Sequence, residues 1–284
     1  MKISVVDFKS EKAQFEFVES AKNTGFCVLK NHGIDSSLIE EVFKEWHEFF
    51  YSKEEEKRKY LFKRDFHKVQ DGFFPQEVSE TAKGFSIKDL KEFFHYYHTG
   101  NLPECIGKTT IQMRKELISL GKVLLKWIED SLPSDIKASL SMPLSHMVDE
   151  QYQTLLRILH YPPLPESFPT GSVRGAPHED INLITLLVSP SSTGLQAQDN
   201  SGSWHSVPCD KNWIIVNIGD MLQEASHNYF KATTHRVINP EAKQENISRY
   251  SMPLFLHPRE EVVLSPRYTA KKYLNERLHE LGLL

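Results

Sequence analysis

The rhythm of apolar and polar positions changes near residue 150 of this 284-residue chain. Before that point helical spacing dominates. "KISVVDF" alternates as a strand does, "EKAQFEFVESAKNTG" carries apolar residues at helical intervals and stops at a glycine, and "FCVLKNHG" reads as a strand running into a turn. "DSSLIEEVFKEWHEFFYSKEEEKRKYL" opens on an Asp/Ser cap and continues with apolar residues three and four apart, which predicts one long helix. The aromatic-rich "DGFFPQEVSETAKGFSIKDLKEFFHYYHTG" is less regular, and "TIQMRKELISLGKVLLKWIEDSL" is helical again.

From about 151 to 257 short apolar runs alternate with turn clusters: "LLRILHYPP", "INLITLLVS", "GLQAQDNSGSWHSVP", "NWIIVNIGD", "THRVINP" and "SRYSMPLFLHP". Strands at this spacing, with Pro and Gly at the breaks, predict a β-sandwich or barrel. The tail "YTAKKYLNERLHELG" returns to helix. The pattern predicts one unit, mainly β with flanking helices. A mixed N-terminal region (1–150) packs on a β core (151–257), and a helical tail (258–284) follows.

Composition narrows the function. A net charge of −4 gives no basic excess for a phosphate backbone or an anionic membrane. No apolar run approaches the roughly 20 residues of a membrane helix, and the N-terminus lacks the h-region of a signal peptide. Three widely spaced cysteines argue against a disulfide framework and a thiolate zinc site. The expectation is a cytoplasmic protein, monomeric or weakly associating, that acts on a small molecule and has no nucleic-acid or membrane partner.

The chemistry starts at "APHEDINLITLLV", where His178 and Asp180 stand two apart at the head of an apolar run. Chance supplies about 1.7 such pairs among 13 histidines and 38 acids, so spacing alone is weak. In a strand, however, residues i and i+2 share a face, which would set imidazole beside carboxylate and turn Glu179 away. His235, in "KATTHRVIN", would complete a two-histidine, one-carboxylate face, a set that suits ferrous iron because it leaves positions open for co-substrate and dioxygen. In "ISRYSMPLFL", Arg249 and Ser251 likewise share a face, and a guanidinium beside a hydroxyl receives a carboxylate. Tyr161 in "LHYPP" adds a phenolic donor, although a tyrosine before Pro-Pro is more often packing.

In this order and context the residues resemble the iron(II)- and 2-oxoglutarate-dependent oxygenases, in the branch of isopenicillin N synthase and the plant flavonoid and hormone oxygenases. "GFCVLKNHGI", "KDLKEFF", "YPPLP", "PHEDINLITLL", "WIIVNIGDMLQ", "HNYFKATTHRV" and "SRYSMPLF" carry the likeness over nearly the whole chain. It implies a double-stranded β-helix (jelly-roll) core, iron(II) on His178, Asp180 and His235, and 2-oxoglutarate held at its far carboxylate by Arg249, Ser251 and Tyr161. It also implies dioxygen as oxidant, ascorbate as a possible reductant, and hydroxylation or desaturation of a small substrate. Two features bear on that reading. Leu159 stands where plant members carry an asparagine. "PHED" with "NYFKATTHRV" leans toward isopenicillin N synthase, where the equivalent arginine and serine grip the substrate's own carboxylate and no 2-oxoglutarate is used.

Two rivals come from other classes: a zinc hydrolase on the same ligands, disfavoured by the carboxylate receptor, and a barrel that binds without catalysis, disfavoured by the intact ligand set. "NHG" at Asn31–Gly33 reads as a turn and Asp220 in "NIGDMLQ" as structural. Phe93, Phe94, Tyr96 and Tyr97 read as core packing ahead of a cavity lining. His160, His205, His227 and His257 are assigned no role. No residue pattern selects the substrate.

Overall fold

The computed structural model describes residues 1–63, 70–78, 89–167, 172–189, 193–240 and 246–280. The first half supplies strands β1 (Val5–Asp7), β2 (Phe26–Lys30), β3 (Gly72–Phe74) and β4 (Glu92–Tyr96). Its helices are α1 (Ala13–Thr24), α2 (Ser36–Phe50), α3 (Glu54–Arg58), α4 (Thr109–Asp130), α5 (Ser134–Ser139) and α6 (Leu144–Met147). The second half lays down β5 (Leu155–Tyr161), β6 (Gly175–His178), β7 (Ile184–Val188), β8 (Leu195–Gln198), β9 (Trp204–Ser206), β10 (Ile214–Ile218), β11 (His235–Val237) and β12 (Arg249–Leu256). Helices α7 (Asp220–Ala225) and α8 (Ala270–Glu280) complete it.

From β5 to β12 the chain steps back and forth between two sheets. The larger has the order β1-β2-β10-β7-β12-β5-β4-β3 and the smaller β6-β11-β8-β9. This is the jelly-roll expected from the sequence. First-half strands extend both edges of the larger sheet, which therefore draws four strands from each side of residue 150.

Period-two alternation divides each strand of the larger sheet between two environments. Leu156, Ile158, Leu186, Val188, Ile214, Val216, Leu254 and Leu256 face the helices and join the main core. Helix α4 packs there with Leu117, Leu124, Leu125 and Ile128 buried. Gly121 lets it approach closely, because a Cβ at that position would lie 2.2 Å from Leu256 Cδ1. The alternate residues point between the sheets. Phe26, Val28, Leu187 and Ile215 meet Leu195, Ala197, Val207 and Val237 of the smaller-sheet side, while Phe93, Leu159 and Tyr161 cluster with Phe74.

Two stretches take a form that periodicity did not specify. The single helix over 35–61 is two helices. The Ser52 hydroxyl bonds the Phe49 carbonyl at 2.7 Å, an alternative to helix continuation, and Lys53 is extended. The break turns Lys57 inward to Glu92 Oε2 at 2.8 Å. The aromatic stretch, whose residues 79–88 lie outside the described ones, contains β3 and β4. Its rings divide by alternation, with Phe94 and Tyr96 in the helix-side core and Phe93 between the sheets.

Candidate metal centre

His178 ends β6 and His235 opens β11, and the antiparallel register of the smaller sheet sets the two directly opposite. Their ring centroids lie 4.4 Å apart. Asp180 is on no strand: it sits in the turn that carries the chain from the smaller sheet to β7. The shared-face argument from strand spacing therefore does not describe the pair, which meets because the chain crosses between sheets there. Glu179 is exposed and accepts from Thr234 Oγ1 at 2.8 Å, turned away as expected.

The turn is held by backbone. The amides of Gly219, Asp220 and Met221 donate to the carbonyls of Leu183, Asp180 and Ile181 at 3.0, 2.7 and 3.2 Å. A Cβ on Gly219 would stand 2.2 Å from the Asn182 carbonyl oxygen, so only glycine permits this approach. "NIGDMLQ" is the brace of the metal loop. Burial, Glu179 and Asp180 push the Asp220 carboxyl up to about 7.

Three atoms converge: Nε2 of both histidines lie 3.7 and 3.8 Å from Asp180 Oδ1, and the three ligand atoms all fall within 4.8 Å of one another. Every competing atom is already engaged. His178 Nδ1 bonds the Ala176 carbonyl at 2.8 Å and His235 Nδ1 the Thr233 carbonyl at 3.1 Å, which leaves Nε2 as the lone-pair nitrogen of each ring. Asp180 Oδ2 accepts from Thr185 Oγ1 (2.5 Å) and Asn217 Nδ2 (2.8 Å), and Asn182 Nδ2 donates in turn to Thr185 (2.8 Å). The edge of Phe26 packs on His235 at 5.6 Å.

Charge follows the same geometry. Burial raises the Asp180 pKa, but both imidazoles and the two donors outweigh it and hold the carboxylate ionised. His178 keeps 44% of its side chain accessible, yet the protein packed around its ring and the neighbouring His235 lower its pKa to about 4. Two imidazoles and one carboxylate are the donor set that an oxygen-activating divalent iron takes with positions left open.

Arg249 and Ser251 face the same interior from β12, opposite Tyr161 and Leu159 of β5, and are 1% and 3% exposed. The Arg249 guanidinium lies over the Tyr161 ring at 5.0 Å and its side chain bonds that tyrosine. Burial lowers its pKa. Leu159 stands between this group and Phe93 in the register of the three strands.

The remaining sequence readings divide. "NHG" is a turn: Asn31 and Gly33 have positive φ (57° and 88°), and His32 bonds the Asn212 carbonyl at 2.8 Å. His160 is buried in a network, Nδ1 on Glu92 Oε1 (2.7 Å) and Nε2 on Ser248 Oγ (3.0 Å), stacked on Tyr250 at 4.8 Å. Sequence reasoning also passed over Thr185, Asn217, His95 and Arg157. The available signal was their inward phase on strands whose outward residues are mostly apolar. A cleft of about 980 Å³ on the helix side includes Tyr96, Arg114 and Arg259 and none of the triad. Buried Arg114 there spans the Glu150 and Thr154 carbonyls at 2.6 and 2.8 Å, a structural clamp.

A jelly-roll with two histidines and an aspartate at one mouth and a buried arginine within defines a non-haem metal enzyme. Residues 152–258 match the 2OG-Fe(II) oxygenase superfamily, and residues 3–111 match the N-terminal region described for the non-haem dioxygenase in morphine synthesis. Gibberellin 2-beta-dioxygenase 1 of Arabidopsis thaliana is 28% identical over 98% of this chain and 84% of its own. Flavonol synthase/flavanone 3-hydroxylase of Solanum tuberosum is 29% identical over 93% and 74%. The crystal structure of a putative oxygenase from Shewanella oneidensis superposes with a TM-score of 0.88 at 47% identity over all of both chains. A Neurospora crassa enzyme solved with alpha-KG shares the fold, with a TM-score of 0.78 at 24% identity over 97% and 95%.

The chain belongs to the 2OG-Fe(II) oxygenase superfamily. It is a 2-oxoglutarate-dependent dioxygenase that uses iron(II) and oxidises a small molecule, and the zinc-hydrolase and inert-barrel readings fall away.

Proposed function

We propose that His178, Asp180 and His235 hold the iron, and that Arg249 and Ser251, with Tyr161, hold the far carboxylate of 2-oxoglutarate, for hydroxylation or desaturation of the substrate. One observation carries the ligand assignment: three donor atoms converge within 4.8 Å while both Nδ1 atoms and Asp180 Oδ2 are bonded elsewhere. When bound, iron and 2-oxoglutarate supply dioxygen activation coupled to decarboxylation to succinate. The chain's residues bind, orient and shield. Thr185 and Asn217 fix the plane of the carboxylate, so Oδ1 alone faces the metal. Arg249, set inside the barrel, orients an anion, and Phe93, Leu159 and Tyr161 give the cavity an apolar wall that limits water.

The isopenicillin N synthase-like oxidase, with Arg249 and Ser251 on the substrate's carboxylate, is not favoured by the relatives. The reading extends to a cytoplasmic monomer or weak oligomer with no nucleic-acid or membrane partner; among the described residues no helix is long and apolar enough to cross a membrane. Anaerobic titration with ferrous iron and then 2-oxoglutarate tests the assignment. A visible chelate band should need both, and Arg249→Ala should raise the 2-oxoglutarate requirement roughly 100-fold. Iron binding with an unchanged 2-oxoglutarate dependence in that variant would return the oxidase reading.

A further inference from the structure

Helix α4 turns Ile111, Arg114, Lys115 and Ile118 to one side, at the three- and four-residue spacing that puts side chains on a common face. That face lines the helix-side cleft of about 980 Å³, and Tyr96, the last residue of β4, lines it too. The 148–153 segment and residues 259–261, beyond the end of β12, complete the lining. The cleft is separate from the metal centre and from the Arg249 group.

Arg114 is the anomaly of this cleft. It is 4% exposed and permanently charged, yet it makes no ion pair among the described residues. The charges of Glu150 and Asp149 act on it only from a distance. An ionised group taken out of water needs an opposite charge or complete hydrogen bonding. Its clamp on the Glu150 and Thr154 carbonyls, at 2.6 and 2.8 Å, uses Nη2 alone. Nε is sealed by protein and has no acceptor. Nη1 also has no acceptor among the described residues, but it is not sealed and reaches the cleft. Tyr96 repeats the pattern. It is 3% exposed and lies within range of the Arg114 charge, and its hydroxyl is neither bonded among the described residues nor closed off. Two buried side chains from different elements therefore aim donors into one space.

The acids around the cleft have partners of their own. Glu150 pairs with Lys122, Glu260 with Lys271 at 2.8 Å, and Glu261 with Arg259 at 3.0 Å. Asp149 Oδ1 accepts the amides of Gln151 and Tyr152 at 2.8 and 3.0 Å. With those three ion pairs closed, Arg114 and Lys115 face Asp149 alone, which leaves an excess of positive charge. Ile111 and Ile118 add apolar surface, and a cleft of this size holds a whole small molecule.

We propose that this cleft is a second ligand site, taking a small organic oxyanion whose carboxylate or phosphate is received by Arg114 Nη1 and the Tyr96 hydroxyl, with Lys115 at its rim. Hydrogen bonds from these donors to an ionised oxygen are about twice as strong as those to a neutral one, so the site selects an acid over its amide. The site goes beyond the oxygenase reading and does not depend on it.

The test uses protein loaded with iron(II) and saturating 2-oxoglutarate under anaerobic conditions, so that the Arg249 group is occupied, at constant ionic strength. Calorimetric titration compares benzoate, phenyl phosphate and benzamide, which share one ring and differ in head group. Benzoate or phenyl phosphate should bind at one per chain and at least tenfold tighter than benzamide, and the tighter of the two identifies the head group. Tyr96→Phe removes a hydroxyl that no described residue bonds, so the fold should persist while that anion binds about 10-fold more weakly. Lys115→Gln should weaken it about 2- to 5-fold. Arg114→Lys should weaken it most, but it also breaks the clamp, so Tyr96→Phe is the deciding variant. The 2-oxoglutarate affinity should stay unchanged in Tyr96→Phe and Lys115→Gln. Neither anion bound by the wild type at millimolar concentration, benzamide bound equally well, or an unchanged affinity in Tyr96→Phe would each overturn the proposal.

Discussion

On the helix-side face of the larger sheet, Leu156, Ile158, Leu186, Val188, Leu254 and Leu256 are at most 1% exposed and join the main apolar core, and the polar Glu92 and His160 on that face are paired with each other. On the opposite face the same strands present Arg157, Tyr161, Thr185, Asn217, Arg249 and Ser251. The two faces are one backbone thickness apart and share every strand. One gains its free energy from area removed from water. The other buries charges and amides, each costly unless bonded, and spends that cost on holding ligand atoms in place. The contrast teaches that stability and chemistry are interleaved residue by residue, so a substitution's consequence is set by its phase along the strand.

Four substitutions test that division. Asp180→Ala should abolish turnover and iron binding and leave the melting transition cooperative, measured by succinate release and calorimetry; retained turnover with added iron would break the assignment of the inner face. Leu254→Ala should do the reverse. A fully buried leucine lost from the core costs about 2–5 kcal/mol, read as a lower denaturation midpoint, with turnover per folded molecule preserved. If turnover fell as steeply as stability, the faces would not be separable.

Finer effects sharpen the comparison. Thr185→Val keeps the shape but removes one of the two donors on Asp180 Oδ2. Iron affinity should fall roughly 10- to 100-fold, and an equal affinity in anaerobic titration would show that Asn217 alone suffices. The smallest effect concerns pH. His257, also in the inward phase, has its pKa lowered to about 4 from 6.5, chiefly by burial. Between those values the unfolded chain binds a proton that the folded chain does not. Its contribution is therefore complete above about pH 6.5 and lost as the pH falls toward 4. The melting temperature of His257→Gln, followed from pH 7 to 4.5, should decline a few degrees less than that of the wild type.

Much of the site was legible because strand alternation is a local code. Arg249 and Ser251 share a face as their spacing required, and His235 heads a strand as expected. The inward phase of "LLRILHY" was equally readable, yet Arg157 drew no attention, since one charged residue in an apolar run does not announce a partner 62 positions earlier. The role of His160 is hidden for the same reason: Glu92 and Ser248 lie far from it in sequence.

By itself the sequence determined which residues alternate inward, where turns fall, and which side chains have the chemistry to bind iron and a carboxylate. Tertiary structure decided what distance along the chain hides. It set His178 opposite His235 through the register of two short strands, and it placed Asp180 beside them by a crossing between sheets that strand spacing misread. It also chose which atom of each ligand stays free, through carbonyls, a threonine and an asparagine drawn from other elements. Periodicity is fixed by backbone geometry over a few residues. Convergence depends on contacts among residues that meet only once the sheets have closed.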